Sequence, residues 1–500
     1  MAAPYSQQLK TLGTVLTGYP IKDSISDELA DQLTLWLRRA TCFTDSKQYD
    51  HLLQQSAMML PPIPVLKDYG LSETHGFLPT EPPLPKLPDP RYEAWETIVA
   101  NLSTWIRSAD LHRAIDRLPV LGTDGLKRAA EWRRAYCLLC FMMQGYVWAG
   151  DRPRDRVPSQ IVIPLLSVSD HLNIIPAPTY AALCLWNYAP VRNGSIGDLE
   201  TIVALNTFTG STDESWFYSV SVAIEFHGAP ILGLGLRAVD AARHDDSITI
   251  ASCLDEFADR LAHLTNLLVR IYEGCNPSIF YHKIRPFLAG SKNMAESGLP
   301  SGVMYEDGSG SEPYRQYSGG SNAQSSLIQF FDVVLGIEHS PTRISGSSQE
   351  AKSNFIHNMR RYMPTHHASF LRDVEAVANI RDYVGKNMDD RKLRLAYDAC
   401  VARLHDFRSK HIGIVTRYII IPSARLRPKK YSPTEFGGPN VAVPPNQQEI
   451  QGQRGTGGTL FLPFLKQARD ETCVPVPQYA KRRQPASKEL ESVRENMTSE

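Results

Sequence analysis

AYDACVARLHDFRSKHIGIVTRYIIIP, residues 396–422, is the stretch whose reading decides the fold class. Ala396, Cys400, Leu404, Phe407, His411, Ile414 and Tyr418 recur at spacings of three and four, which is one stripe of a 3.6-residue helix. Arg403, Asp406, Lys410 and Arg417 fall off the stripe, as a wet face should. Pro422 has no N–H and restricts Ile421, so the helix is expected to end near residue 422. One stripe residue is out of character for a plain core, and it is His411. His405 lies off the stripe and is expected to be solvated.

A histidine on an apolar stripe has two readings. It can be a core residue hydrogen-bonded to a neighbour, since histidine is often partly buried. It can also be an axial metal ligand, because a neutral imidazole on a rigid buried helix is what haem iron takes on its proximal side. The helix alone leaves both open.

The text around it is mostly helical. SITIASCLDEFADRLAHLTNLLVRIYEG, residues 247–274, carries the stripe Leu254, Phe257, Leu261, Leu264, Leu268 and Ile271. Residues 24–41, 92–109, 126–148 and 324–339 also read as helices, the first with Ser24 or Ser26 as a cap. FYSVSVAIEFHGAPIL, residues 217–232, alternates and is β-branched, so its own pattern reads as a strand. Residues 61–93 are proline-rich and read as an ordered connector. Pro158, Pro164, Pro176 and Pro178 are expected to break 156–190 into short pieces. Residues 294–325 are Gly/Ser-rich, 423–459 are a polar Pro/Gly-rich excursion, and 471–500 read as a disordered tail.

Five hundred residues suggest two domains, with a boundary between about 190 and 205. A 42% hydrophobic content suffices for a packed interior. Lys+Arg and Asp+Glu balance at 53 each, which removes any electrostatic argument for nucleic acid or an anionic membrane. No apolar run reaches about 18 residues, so no membrane span is expected, and the first twenty residues do not read as a signal peptide. The eight cysteines are scattered in apolar helical text, as in a reduced cytoplasmic protein. Cys137 and Cys140 have a CxxC spacing without a second ligand pair and read as buried thiols. His244-Asp245-Asp246 contains an HxD, but at a helix start it reads as a cap. HExxH, GxxxxGK[ST] and GxSxG motifs are absent.

The run HDFRSKHIGIVTRYIIIPS, residues 405–423, resembles the proximal-ligand helix of the indoleamine 2,3-dioxygenase family, and the length suggests a fungal-type member. The resemblance spans most of 60–470, with GFLP at 76–79 and GYVWAGD at 145–151 as further matching segments. It implies an all-α fold of two helical domains, a small N-terminal one (1–195) and a large haem-binding one (205–470), with haem near their interface. It implies helix rather than strand at 217–232. His411 is then the iron ligand of haem b, ferrous when active.

Residue by residue, FYHKIRPFL at 280–288 matches the family's substrate segment, so Phe280 is expected to pack on the indole and Arg285 to grip the substrate carboxylate. On a straight helix these two are about 140° apart, so a break near Pro286 is predicted. Ser221 matches the distal serine, Phe217 a pocket wall and Tyr180 a wall tyrosine. Leu183 departs from the Cys of some members. Gly320, Ser321 and Asn322 lie in a loop matching the haem edge, where glycine permits close approach. Arg408 matches an arginine near a haem propionate, paired with Asp332. Thr456, in GTGGT, matches a loop closing over substrate.

The expected reaction inserts both atoms of O2 across the C2–C3 bond of L-tryptophan or a related indole, giving N-formylkynurenine for the kynurenine pathway or NAD synthesis. The protein is expected to act as a monomer, without nucleic-acid or membrane partners. The competing expectation is a haem protein of this fold that carries O2 or takes another indole. The third is a haem-free scaffold with His411 in the core.

Overall fold

The computed structural model describes residues 60–191, 194–311, 313–340, 355–425 and 461–473. Helices dominate: α1 (Glu93–Ala100), α2 (Ala129–Trp148), α3 (Ser159–His171), α4 (Thr212–Arg243), α5 (Ser247–Val269), α6 (Ser326–Leu335), α7 (Thr365–Glu375), α8 (Arg391–Val415) and α9 (Phe461–Thr472). Strands among the described residues are two or three residues long. β1 (Arg156–Val157), β4 (Val303–Tyr305) and β5 (Tyr314–Arg315) form one sheet, and β2 (Tyr188–Pro190) pairs antiparallel with β3 (Ile202–Ala204). The fold is all-α, as expected.

The frame is a layer of α4, α5 and α8, with α5 packed along both others. Each has a capped start. Ser211 Oγ accepts from the Glu214 N–H at 3.2 Å, and the Glu214 carboxylate folds back onto the N–H groups of Phe208 and Thr209. Asp246 accepts from the Thr249 N–H and Asp390 from that of Leu393, each at 3.0 Å. The HDD cluster is therefore a helix cap. A continuous apolar cluster runs from Leu71 through Trp95, Phe141, Leu232, Phe257 and Phe330 to Tyr418. The described residues from Ile63 onward form one compact unit. The stretch 190–205 lies on the β2–β3 turn, with cluster members on both sides.

Residues 217–232 are the middle of α4, not a strand. The strand-like text arises because every residue from Tyr218 to Glu225 is buried, so no polar face marks the helical period. By length and composition α4 could cross a membrane, but its apolar window is 83% buried inside the fold. Pro164 does not break its segment. It lies inside α3 with its ring buried, and Pro158 takes the N-cap position. Cys137 and Cys140 are free and buried, and burial pushes the Cys137 thiol up to about 12 and the Cys140 thiol well above its ordinary value, so both stay protonated.

Ala396, Cys400, Leu404, Phe407, Ile414 and Tyr418 are buried on one side of α8. His405 is half-buried rather than fully solvated. The helix does not end at Pro422. α8 passes into a π turn at Thr416–Ile420 and then into a new α turn, Ile421–Arg425. The π turn restarts the hydrogen-bond ladder, which puts Pro422 in the first turn of a helical segment, where its missing N–H costs nothing. Two more π turns occur among the described residues, at Ala181–Leu185 and Phe280–Ile284.

Candidate active site

α4, α6, α8, α9, the three π turns and the loop at 318–325 converge on a cavity of about 280 Å³. One buried water needs roughly 10–15 Å³. The space is therefore a ligand chamber, not a packing defect. Tyr180, Phe217, Ser221, Phe280, Arg285, Gly320, Ser321, Asn322, Asp332, Arg408 and His411 all line it. Thr456 lies outside the described residues.

His411 stands on α8 one turn beyond Phe407, with Ile414 and Val415 above it and Phe464 and Leu465 from α9 on the same wall. Burial pushes its imidazole down to about 4, and the nearby Arg408 guanidinium adds to the effect. It is thus neutral at physiological pH. Among the described residues neither ring nitrogen has a hydrogen-bond partner, which is unusual for a histidine facing an enclosed space. No group of three or more His, Cys, Asp or Glu among them is arranged to hold a bare metal ion. A lone neutral imidazole in an apolar chamber suits a metal that brings its other ligands with it, as haem iron does.

Arg408 lies three residues before His411. Its Nη2 donates to both Asp332 carboxylate oxygens, at 2.5 and 2.7 Å, and its Nη1 donates to the Ala468 carbonyl at 3.3 Å and to Thr472. Burial raises the Asp332 carboxyl, but Arg408 and His339 outweigh it and hold it below the usual range. The His339 Nε2 donates to Asp332 at 3.1 Å, and its Nδ1 donates to Glu471 at 2.8 Å. Sequence reasoning paired Arg408 with Asp332 and missed His339 and Glu471, which lie outside any local pattern.

Phe280 begins its π turn and Arg285 follows it. A π turn bonds residue i to i+5, so positions five apart come onto one face, as positions four apart do in an α-helix. That is why both reach the cavity. The expected break at Arg285 does not occur: Arg285 keeps α-helical dihedrals (φ −53°, ψ −37°), and the chain passes from the π turn into a 3₁₀ turn at Arg285–Leu288 without leaving helical geometry. The Phe280 ring lies 4.9 Å from Phe217 and 5.6 Å from Tyr418. Burial lowers the Arg285 guanidinium somewhat, and it sits 5.4 Å from the centroid of the Tyr281 ring.

The glycine loop is held close to its neighbours. A Cβ on Gly320 would fall 2.3 Å from Leu183 Cδ1, and one on Gly319 would fall 2.1 Å from the Leu288 carbonyl oxygen. Leu183, the departure noted above, therefore fills the space that Gly320 leaves. Gln324 ties the parts together: its Oε1 accepts from the Tyr180 N–H at 2.8 Å and its Nε2 donates to the Gly319 carbonyl at 2.9 Å. Behind Tyr180 sits Glu225, which the sequence reading passed over. It is the one acid in the apolar run VSVAIEF, four residues after Ser221, and that spacing was its available signal.

Comparison with known proteins gives the family. The family model described as indoleamine 2,3-dioxygenase matches residues 65–475. The indoleamine 2,3-dioxygenase of Saccharomyces cerevisiae is 42% identical over 428 residues, covering 82% of this chain and 93% of the relative. A 6-hydroxytryptophan 2,3-dioxygenase of Fusarium equiseti is 37% identical over 406 residues, 81% of this chain and 96% of the relative. Human indoleamine 2,3-dioxygenase 2 is 34% identical over 412 residues, 81% and 94% of the two chains. With its cavity built on α8 and its sequence matched over most of its length, the chain belongs to the indoleamine 2,3-dioxygenase family.

Proposed function

We propose that the chain is a haem-dependent dioxygenase that opens the indole ring of L-tryptophan with O2 to give N-formylkynurenine. The observation that carries this reading is the meeting, in one cavity, of a neutral His411 with Phe217, Ser221, Phe280 and Arg285. The names of the relatives, which act on indoleamines or 6-hydroxytryptophan, support it.

His411 would hold the iron, and Arg408 with Asp332 would border the cofactor's edge. Bound haem supplies the O2 chemistry. The chain supplies the rest. Arg285 offers a planar, charged fork that matches a carboxylate. Phe217, Phe280 and Tyr418, their rings steeply inclined to one another, give apolar aromatic walls for an indole. Ser221 lines the cavity from α4 beside Tyr218 and would offer its hydroxyl to a bound ligand. Fixing two reactants in this geometry is worth more than any single proton transfer, and the carboxylate among the described lining residues, Asp332, is already held by Arg408.

The test is the absorption spectrum over time of purified, haem-reconstituted, reduced protein with L-tryptophan in air. A haem band with growing N-formylkynurenine absorbance is expected. A haem band without product would favour an O2 carrier or another indole. Retention of haem by His411→Ala would remove the assignment of His411.

A further inference from the structure

α9 is the wall of the cavity that the core does not hold. Phe464, Leu465 and Ala468 line the chamber from it. No described α9 residue joins the main apolar cluster. Leu462 and Leu465 pack instead with Ile412, Val415, Ile419 and Ile420 at the end of α8, in a small cluster of their own. An element held this way opens at far less cost than global unfolding, whereas the walls on α4, α6 and α8 share the core.

What fastens α9 is polar and lies in its C-terminal half. Glu471 Oε2 accepts from His339 Nδ1 at 2.8 Å, and its Oε1 accepts from the Ser340 N–H at 3.0 Å. Gln467 Nε2 donates to the Ser340 carbonyl at 2.8 Å. Arg408 donates to the Ala468 carbonyl at 3.3 Å and to Thr472. His339 Nε2 in turn donates at 3.1 Å to Asp332, which lines the cavity from α6. One imidazole thus joins the movable wall to a fixed one through two charge-assisted bonds.

We propose that α9 is the gate through which the chamber takes up and releases its cofactor, and that the His339 bridge between Asp332 and Glu471 is its latch. The inference rests on the dioxygenase reading, in which that cofactor is haem.

The latch needs both ring nitrogens to donate, which only the imidazolium does. When the ring loses its proton, one nitrogen becomes an acceptor facing a carboxylate, and one of the two bonds is lost. The groups around the ring set where this happens. Asp332 faces it from α6, Glu471 from α9 and Arg408 from α8. His357, on the Phe355–Met359 turn, is held below its ordinary value by burial. Burial pulls His339 down too, but its bonds to Asp332 and Glu471 and the Asp332 charge outweigh burial and the Arg408 charge. The ring therefore titrates above the ordinary histidine range. The latch is fully set below about pH 6.5 and weakens as pH rises through the raised value.

A gate has a kinetic signature. Entry and exit both pass through the open form, so loosening the latch speeds both by the same factor. The test uses the full-length protein: haem loss from the ferric holoprotein to excess apomyoglobin, and haem uptake by the unloaded protein. Both rates should rise about ten-fold from slightly acid to alkaline pH, the worth of one charge-assisted hydrogen bond. The sign separates this from release through protonation of His411, which would speed loss on the acid side. Glu471→Gln, which leaves Asp332, Arg408 and His339 in place, should show near the wild-type alkaline rates at every pH, and so should His339→Gln. Faster exit with unchanged entry would mean that the bridge tunes affinity rather than access, and it overturns the proposal. Wild-type rates in Glu471→Gln overturn it as well. Amides of α9 that exchange faster on the alkaline side, in a protein that takes up no haem at any pH, would leave the latch standing and reject the dioxygenase reading instead.

Discussion

Replacing His339 by glutamine should loosen α9 from the rest of the fold. The His339 ring is clamped between two carboxylates, Asp332 at 3.1 Å and Glu471 at 2.8 Å. Carboxylates accept, so both ring nitrogens donate, and a ring that donates twice is the imidazolium. Burial pulls the ring down, but the hydrogen bond and charge of Asp332 outweigh it and hold it above the usual histidine range. A value raised by folding means the clamp is at full strength below about pH 6.5 and is lost as pH rises through the folded-state value. The three side chains are no more than 16% exposed, so solvent screens them little. A charged hydrogen bond is worth about 1.5–3 kcal/mol. Glutamine keeps some hydrogen bonding without charge, which leaves a net loss of about 2 kcal/mol, or near thirty-fold in the opening equilibrium of α9. Amide hydrogen exchange at residues 461–473, corrected for intrinsic rates, measures it. Wild-type protection should fall on the alkaline side, and the variant should be weakly protected and insensitive to pH. If α9 of His339→Gln is as protected as the wild type at slightly acid pH, the two-carboxylate clamp does not hold it.

Arg285→Ala should raise KM for L-tryptophan by roughly ten- to a hundred-fold, the worth of a charge-assisted pair, and an unchanged KM in steady-state kinetics would end its assignment to the substrate carboxylate. Gly320→Ala should lower stability and reshape the cavity, because the new Cβ meets Leu183 at 2.3 Å; Leu183→Ala in the same chain should restore much of the loss in thermal melts. Glu96→Ala strands the buried Arg134, whose Nη2 lies 2.5 Å from Glu96 Oε2, and should cost about 3–5 kcal/mol in urea unfolding; a cost under about 1 kcal/mol would mean that Asn206, at 3.0 Å from Arg134 Nη1, carries the charge alone.

Long helices with one wet side were legible, and α5 and α8 declared themselves by period. α4 was not, because its middle is buried all round and no wet face marks the helical period. Local pattern offered His411 as an oddity on a stripe; Glu225, an acid in an apolar run, carried a signal that the sequence reading passed over, and no local pattern joins the two. The family resemblance supplied the set of cavity residues. What neither could supply was the geometry that lets Phe280 and Arg285 share a wall, since straight-helix arithmetic sets them on different faces. His339 and Glu471, 132 residues apart, were invisible for the same reason that most tertiary polar networks are: nothing in the spacing of a chain records which distant loops meet.

The three π turns have a further consequence. Each is an α-helical turn carrying one residue too many, and each delivers side chains to the chamber: Leu183 and Cys184, Phe280, and Tyr418. Removing a single residue from 416–420 would close that turn into plain α-helix and swing all that follows by about 100°. Pro422 would leave its permissive first-turn place, and Tyr418 or Ile414 would leave the wall. At these three places the length of the chain is itself a functional quantity. A lost residue there does more harm than a changed one.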